Sequence, residues 1–221
     1  MPRHRRRRCA LCLGLVGVLL LAGCSTLSST GISDADAVGE QVQHRYDAID
    51  RYSATVTKTV ETPNGETSVS ARLSADTDGA ATVTYESGPR AGTTRTYASA
   101  ARSPVLATGP DGAPARGATY GALAASLVRT NDVSIDGTTV LDGHRSVVVS
   151  LVPDGDGNAS AADGLERRVW VDVERRIPLR VETTWTTATG ANVTETVRYA
   201  NVTLDEANAT ETTTANGVGA A

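Results

Sequence analysis

From residue 52 onward the chain alternates apolar and polar side chains at a period of two, which confines it to a fold made mostly of β-strands. Tyr52, Ala54, Val56, Lys58 and Val60 alternate with Ser53, Thr55, Thr57 and Thr59, so this segment reads as a strand. Pro63-Asn64-Gly65 supplies a tight turn, and Val69, Ala71 and Leu73 continue the alternation on the way back, which predicts a hairpin. Similar short runs separated by turn residues recur at about 80–87, 93–99, 103–107, 132–141, 145–153, 166–173, 178–188 and 191–204. Together they predict an antiparallel sheet of about ten strands.

Two segments break that period. Val38, Val42, Tyr46 and Ile49 recur at helical spacing behind a capping box formed by Ser33 and Asp36, which predicts a helix over about 34–50. Tyr120, Leu123, Ala124, Leu127 and Val128 predict a second helix between the Gly/Pro-rich loop 109–117 and the strand at Val133. Two helices and a long meander exclude a parallel βαβ architecture. The expected class is α+β: a strongly curved antiparallel sheet with the two helices covering its concave face.

Ahead of the domain, Arg3, Arg5, Arg6, Arg7 and Arg8 precede the apolar run Leu11 to Leu21. Its eleven residues fall short of the roughly 20 that a spanning helix needs. They match the roughly 7 to 15 of a signal-peptide core. The run ends in Leu21-Ala22-Gly23-Cys24, the pattern of a bacterial or archaeal lipobox, so residues 1–23 are expected to be removed and Cys24 lipidated. The arginine cluster also resembles a twin-arginine export signal. Cys9 and Cys12 would leave with the leader, so Cys24 is the one remaining thiol and no internal disulfide can form. The expected layout is a signal peptide over 1–23, a flexible tether over 24–33, the folded domain over 34–206 and a disordered tail over 207–221.

Removing the leader leaves 16 Lys and Arg against 25 Asp and Glu, a net charge of −9. Lys58 is the one lysine, and Ala, Thr, Gly and Asp dominate, a halophile-like composition. Without a basic patch the domain is not expected to bind nucleic acid. Asn158, Asn192, Asn201 and Asn208 each begin an Asn-x-Ser/Thr sequon and are candidate glycan acceptors on an exported surface.

Catalytic signatures are missing from the sequence. His44 falls on the polar side of the first helix and His144 in a turn, where both read as solvated, while His4 lies in the leader. No Gly-x-Ser-x-Gly elbow, phosphate loop, His-Glu-x-x-His or Cys-x-x-Cys motif follows residue 24, so neither an enzyme nor a cofactor is expected. Asp154-Gly155-Asp156-Gly157-Asn158 imitates the start of a calcium loop, but Ala159 stands where the turn glycine belongs and Leu165 where the bidentate acid belongs. The passage therefore reads as a plain loop, and no metal is expected.

Three passages carry a family resemblance. They are Tyr46-Asp47-Ala48-Ile49-Asp50-Arg51-Tyr52-Ser53-Ala54, then Val140-Leu141-Asp142-Gly143-His144-Arg145, and finally Val169-Trp170-Val171-Asp172 with Ile177-Pro178-Leu179-Arg180-Val181-Glu182. In these the chain resembles the outer-membrane lipoprotein carrier superfamily (LolA, LolB and the N-terminal domain of the sigma-factor regulator RseB) over about residues 34–206, as a halophile-type archaeal lipoprotein. The resemblance implies a half-open barrel whose concave face shelters a lipid, lipopeptide or other apolar ligand. Independently of it, Pro178 belongs near a strand start and Asp172 can cap the turn Glu174-Arg175-Arg176. The aromatic set is sparse, limited to Tyr46, Tyr52, Tyr85, Tyr97, Tyr120, Tyr199, Trp170 and Trp185 with no Phe, so a small or shallow cavity is expected. A lipid on Cys24 would hold the domain at the extracytoplasmic face of the cell membrane, which suits a tethered receptor better than a shuttle. The alternative is a structural, sensor or interaction protein of the cell envelope that contacts a protein partner and holds no ligand.

Overall fold

The computed structural model describes residues 34–77, 79–99, 103, 105–106, 132–152 and 165–206. Cys24, Asn158, Asn208, the calcium-like passage, the second helix and the tail all lie outside them.

Helix α1 (Ala35–Asp47) starts one residue later than the capping-box reading places it. Asp34 is the cap, and its carboxylate accepts the Asp36 N–H at 3.1 Å. The acid in the first turn, Asp36, and the bases in the last, His44 and Arg45, both suit the helix dipole. Val38, Gly39 and Val42 form the buried stripe. The helix also stops earlier than expected, because Ile49 already belongs to a strand and is buried there. Tyr46 anchors the last turn by donating its hydroxyl to the Thr77 carbonyl, and Arg45 pairs with Glu206 at 2.9 Å.

Nine strands follow among the described residues: β1 (Ile49–Thr62), β2 (Gly65–Asp76), β3 (Ala81–Tyr85), β4 (Thr94–Tyr97), β5 (Asp132–Leu141), β6 (His144–Val152), β7 (Glu166–Asp172), β8 (Pro178–Thr186) and β9 (Asn192–Glu206). They form one antiparallel sheet in the order β4-β3-β2-β1-β9-β8-β7-β6-β5. The chain thus starts at the middle of the sheet, meanders out to the β4 edge, resumes at the opposite edge with β5 and meanders back until β9 zips against β1. Strand number differs from the expected ten at residues 103–107. Val105 and Leu106 sit in a turn closed by the Leu106 N–H on the Ser103 carbonyl at 3.0 Å, and both side chains are buried. Their apolar character reflects that burial, not a ladder.

The turns follow the sequence closely. Thr62 pairs with Gly65 across a two-residue loop, and Gly65 takes φ 137°, open to glycine. Pro178 opens β8, where it interrupts no interior ladder. Asp172 caps the preceding turn as expected, its Oδ1 accepting the N–H groups of Glu174 at 2.9 Å and Arg175 at 3.0 Å. His144 is more tied down than a solvated turn residue: it is 44% exposed, yet its Nδ1 lies 3.0 Å from Asp172 Oδ2.

Curvature follows from the helix. α1 runs directly into β1 and packs on β5, five strand spacings away in sheet order. In a flat sheet that separation is about 24 Å, roughly twice the diameter of a helix. One helix can touch both only if the sheet curls around it, so α1 lies on the concave side of an unclosed, curved sheet.

Candidate functional site

Register assigns every inward side chain. One row across the concave face reads Val69, Lys58, Val197, Val181, Val169, Val149 and Ile135, from β2 to β5. All but Lys58 are apolar, and the four central valines are fully buried. The next row toward the β1–β2 hairpin reads Thr67, Val60, Glu195, Thr183, Arg167, Leu151 and Val133. Here polar groups occupy positions that β-alternation reserves for the core.

These two rows meet in an ion pair. Lys58 Nζ lies 2.6 Å from Glu195 Oε2, with side-chain exposures of 20% and 3%. Arg167, two strands from Glu195, places its Nε 3.3 Å from Thr183 Oγ1. Burial pulls the Arg167 guanidinium below its ordinary pKa, against the nearby Glu195 carboxylate, which works to raise it. Tyr199 sits one row further in and is buried; loss of solvent around it, with the neighbouring Tyr52 next in importance, holds its phenol well above the ordinary value of 10. A carboxylate buried on the inner face of a curved sheet, with a guanidinium partly desolvated in the same row, is costly to maintain and makes this row a candidate site.

Beside this row lies a cavity of about 260 Å³. Val60, Val69, Tyr85, Pro89 and Val105 make its walls apolar, and Thr67 stands among them. Among the described residues its charged lining consists of Lys58 and Arg90. The loop after β3 closes one wall. Gly88 there takes φ 78°, and a Cβ built on it would stand 2.9 Å from Val69 Cγ2, so any other residue must both displace Val69 and hold a left-handed backbone. Arg90 lies over the Tyr85 ring at 5.7 Å from its centroid. The Tyr85 and Tyr97 hydroxyls are 3.0 Å apart, and burial together with that bond raises the Tyr97 pKa.

The other residues singled out in sequence fall away from the cavity. His44 is exposed on α1. Asn192 and Asn201 are both exposed on β9; the Asn192 carbonyl oxygen accepts from Thr186 Oγ1 at 3.0 Å, and Asn201 takes φ 52° at an interruption of the β1–β9 ladder. Among the described residues no group of three His, Cys, Asp or Glu could hold a metal. Nor is any described helix long and apolar enough to cross a membrane. Sequence reasoning placed Lys58 in the inward series of β1 but missed Glu195 and Arg167. The signal was present, since Glu195 alternates in phase with Val193 and Val197, and Arg167 with Val169 and Val171.

No protein-family model and no curated protein matches the chain. Solved structures align with much of its length at low identity. A putative outer membrane lipoprotein-sorting protein domain from Vibrio parahaemolyticus aligns over 77% of this chain and 93% of its own, at 13% identity and TM-score 0.35. A LolA superfamily protein from Nitrosomonas europaea aligns over 78% and 94%, at 13% identity and TM-score 0.35. LprF from Mycobacterium bovis aligns over 76% and 92%, at 13% identity and TM-score 0.38. The likeness is one of chain layout alone.

Proposed function

We propose that the chain is a non-catalytic binding protein of the cell envelope, which holds a lipid or other apolar ligand on the concave face of its sheet. One observation carries the reading: a cavity of about 260 Å³ with five apolar walls opens on the face that the sheet curls around. Ligand sites are concave and mainly apolar, with a few polar groups for orientation, and this cavity has that composition. Its volume sits just below the roughly 300–1,000 Å³ common for small-molecule sites, in keeping with the sparse aromatic set.

The reading extends to location. Residues 1–23 act as a lipoprotein signal peptide, Cys24 carries the lipid, and the tether leaves the domain at the extracytoplasmic face. Asn192 and Asn201 are then available to glycan transfer. Support comes from the lipobox and from the exposure of both asparagines.

Native mass spectrometry of the chain extracted from its own membranes tests both parts. The expected species starts at Cys24, carries a thioether-linked lipid and retains a further, non-covalent lipid mass. A free thiol at position 24 overturns the anchor. A consistently empty cavity with a stoichiometric protein partner overturns the ligand and favours an envelope interaction protein.

A further inference from the structure

The composition of the cavity wall narrows the ligand. The chain as a whole is acidic, with a net charge of −4, yet among the described residues the charged groups lining the cavity are two cations, Lys58 and Arg90. Glu195 stands behind Lys58 and is 3% exposed, so it fixes the ammonium at the wall without itself lining the space. The Arg90 guanidinium lies over Tyr85, which also lines the cavity, and its planar donors suit a two-oxygen acceptor.

Lys58 keeps Glu195 as its partner, but a neutral chain against the wall takes water from the cavity side of Arg90 and from the remaining ammonium N–H groups and offers neither an acceptor. An anionic end does compensate, through charge-assisted hydrogen bonds. The small volume meanwhile admits one slender chain more readily than several. We propose that the cavity selects a single-chain anionic amphiphile, its hydrocarbon lying against Val60, Val69 and Tyr85 and its phosphate or carboxylate against Lys58 and Arg90. This rests on the ligand-binding reading above and adds the chemical class of the ligand.

Calorimetric titration of the full chain with decyl phosphate, decanoate, decanol, decyltrimethylammonium and inorganic phosphate tests it. The two anionic chains are expected to bind about tenfold or more tighter than decanol, the gain of one charge-assisted contact. The cationic chain is expected to bind weakest. Arg90→Gln, on an exposed loop, is expected to lower anion affinity about tenfold and leave decanol unchanged. The double variant Lys58→Gln/Glu195→Gln, which removes the Lys58 charge together with that of its partner, is expected to reduce the same preference.

Equal affinity for decanol and decanoate overturns the headgroup assignment while leaving the ligand-binding reading intact. So does an anion preference that survives both variants. Inorganic phosphate bound as tightly as decyl phosphate overturns the amphiphile, because the hydrocarbon then adds nothing. Failure of every chain to bind overturns this proposal and the ligand-binding reading together.

Discussion

The concave and convex faces of the sheet come from the same strands, one residue out of phase, and they use charge in opposite ways. On the convex face ion pairs are plentiful and wet: Arg72 meets Glu86 at 2.7 Å with exposures of 71% and 36%, and Arg198 meets Asp142 at 2.7 Å with exposures of 49% and 51%. Cross-strand hydroxyls, such as Thr84 with Thr94 at 3.0 Å, fill the space between them. On the concave face the Lys58–Glu195 pair stands among valines, with its carboxylate almost without solvent. At similar separation an exposed pair contributes little, because water screens both partners. A buried pair has already given up hydration, so each partner depends on the other. The difference is thus one of dependence more than of strength.

The sharpest way to break this contrast is to remove one partner inside. Lys58→Met takes the paired ammonium from the buried Glu195 carboxylate, which keeps only the more distant help of Arg167, and is expected to cost about 3 kcal/mol of unfolding free energy. Urea denaturation followed by circular dichroism measures it. Lys58→Met/Glu195→Leu removes the pair but also takes the nearby carboxylate from Arg167, and is expected to recover part of that loss, to within about 2 kcal/mol of the parent. A double variant as unstable as the single one would show that the pair itself, and not the orphaned charge, holds the fold.

Gly88→Ala probes the wall between the faces. The added methyl meets Val69 Cγ2 at 2.9 Å while the backbone stays at φ 78°, so both crowding and conformation oppose it. A loss of about 2 kcal/mol is expected, combining the left-handed penalty with displacement of Val69. Gly92 also has a positive φ, 79°, but open space around its Cβ position. Gly92→Ala in the same assay isolates the conformational share and is expected to cost about 1 kcal/mol.

Tyr199 adds a pH dependence that only a dry concave face can have. Its folded pKa is raised well above 10 by burial, whereas in the unfolded chain it ionises near its ordinary value. Between those two values the folded state holds the proton that the unfolded state has lost, so stability is undiminished below about pH 10 and falls as pH rises past it. The slope approaches about 1.4 kcal/mol per pH unit for this one group. Tyr199→Phe, compared with the parent by urea denaturation at pH 9 and pH 11, is expected to lose about 1 kcal/mol less over that interval. An unchanged alkaline loss in the variant would place the titration elsewhere.

Much of this contrast was legible in the sequence, and the exceptions have physical causes. Strand existence, the Pro63-Asn64 turn and the Asp172 cap followed from local chemistry, because alternation and turn residues act within a few positions. Ile49 was assigned to the helix because it lies three residues after Tyr46, a spacing that a helix stripe shares with the first inward residue of the next strand. Val105 and Leu106 looked like a strand because burial and strand formation draw on the same residue types. The charged row was harder. Glu195 and Arg167 are each the charged member of an otherwise apolar inward series, the β7–β8 and β8–β9 pairings bring them to one row, and only the pairing of β1 with β9 sets Lys58 beside Glu195. Such long-range register has no local signature.

The smallest expected effect is the control for all the others. Thr84 and Arg72 face outward beside each other, across the β2–β3 ladder, and each has a polar neighbour on the same face. Thr84→Ala removes one exposed hydroxyl bond and some β-propensity, and Arg72→Ala removes an ion pair that solvent already screens. Each is expected to change unfolding free energy by less than about 1 kcal/mol. Because the Arg72–Glu86 attraction is carried through water, what remains of its effect should shrink further as salt is raised. Lys58→Met should keep most of its cost under the same salt, since the Glu195 carboxylate is only 3% exposed. A salt response of equal size at both sites would mean that the inner pair is as wet as the outer one, and the distinction between the two faces would fail.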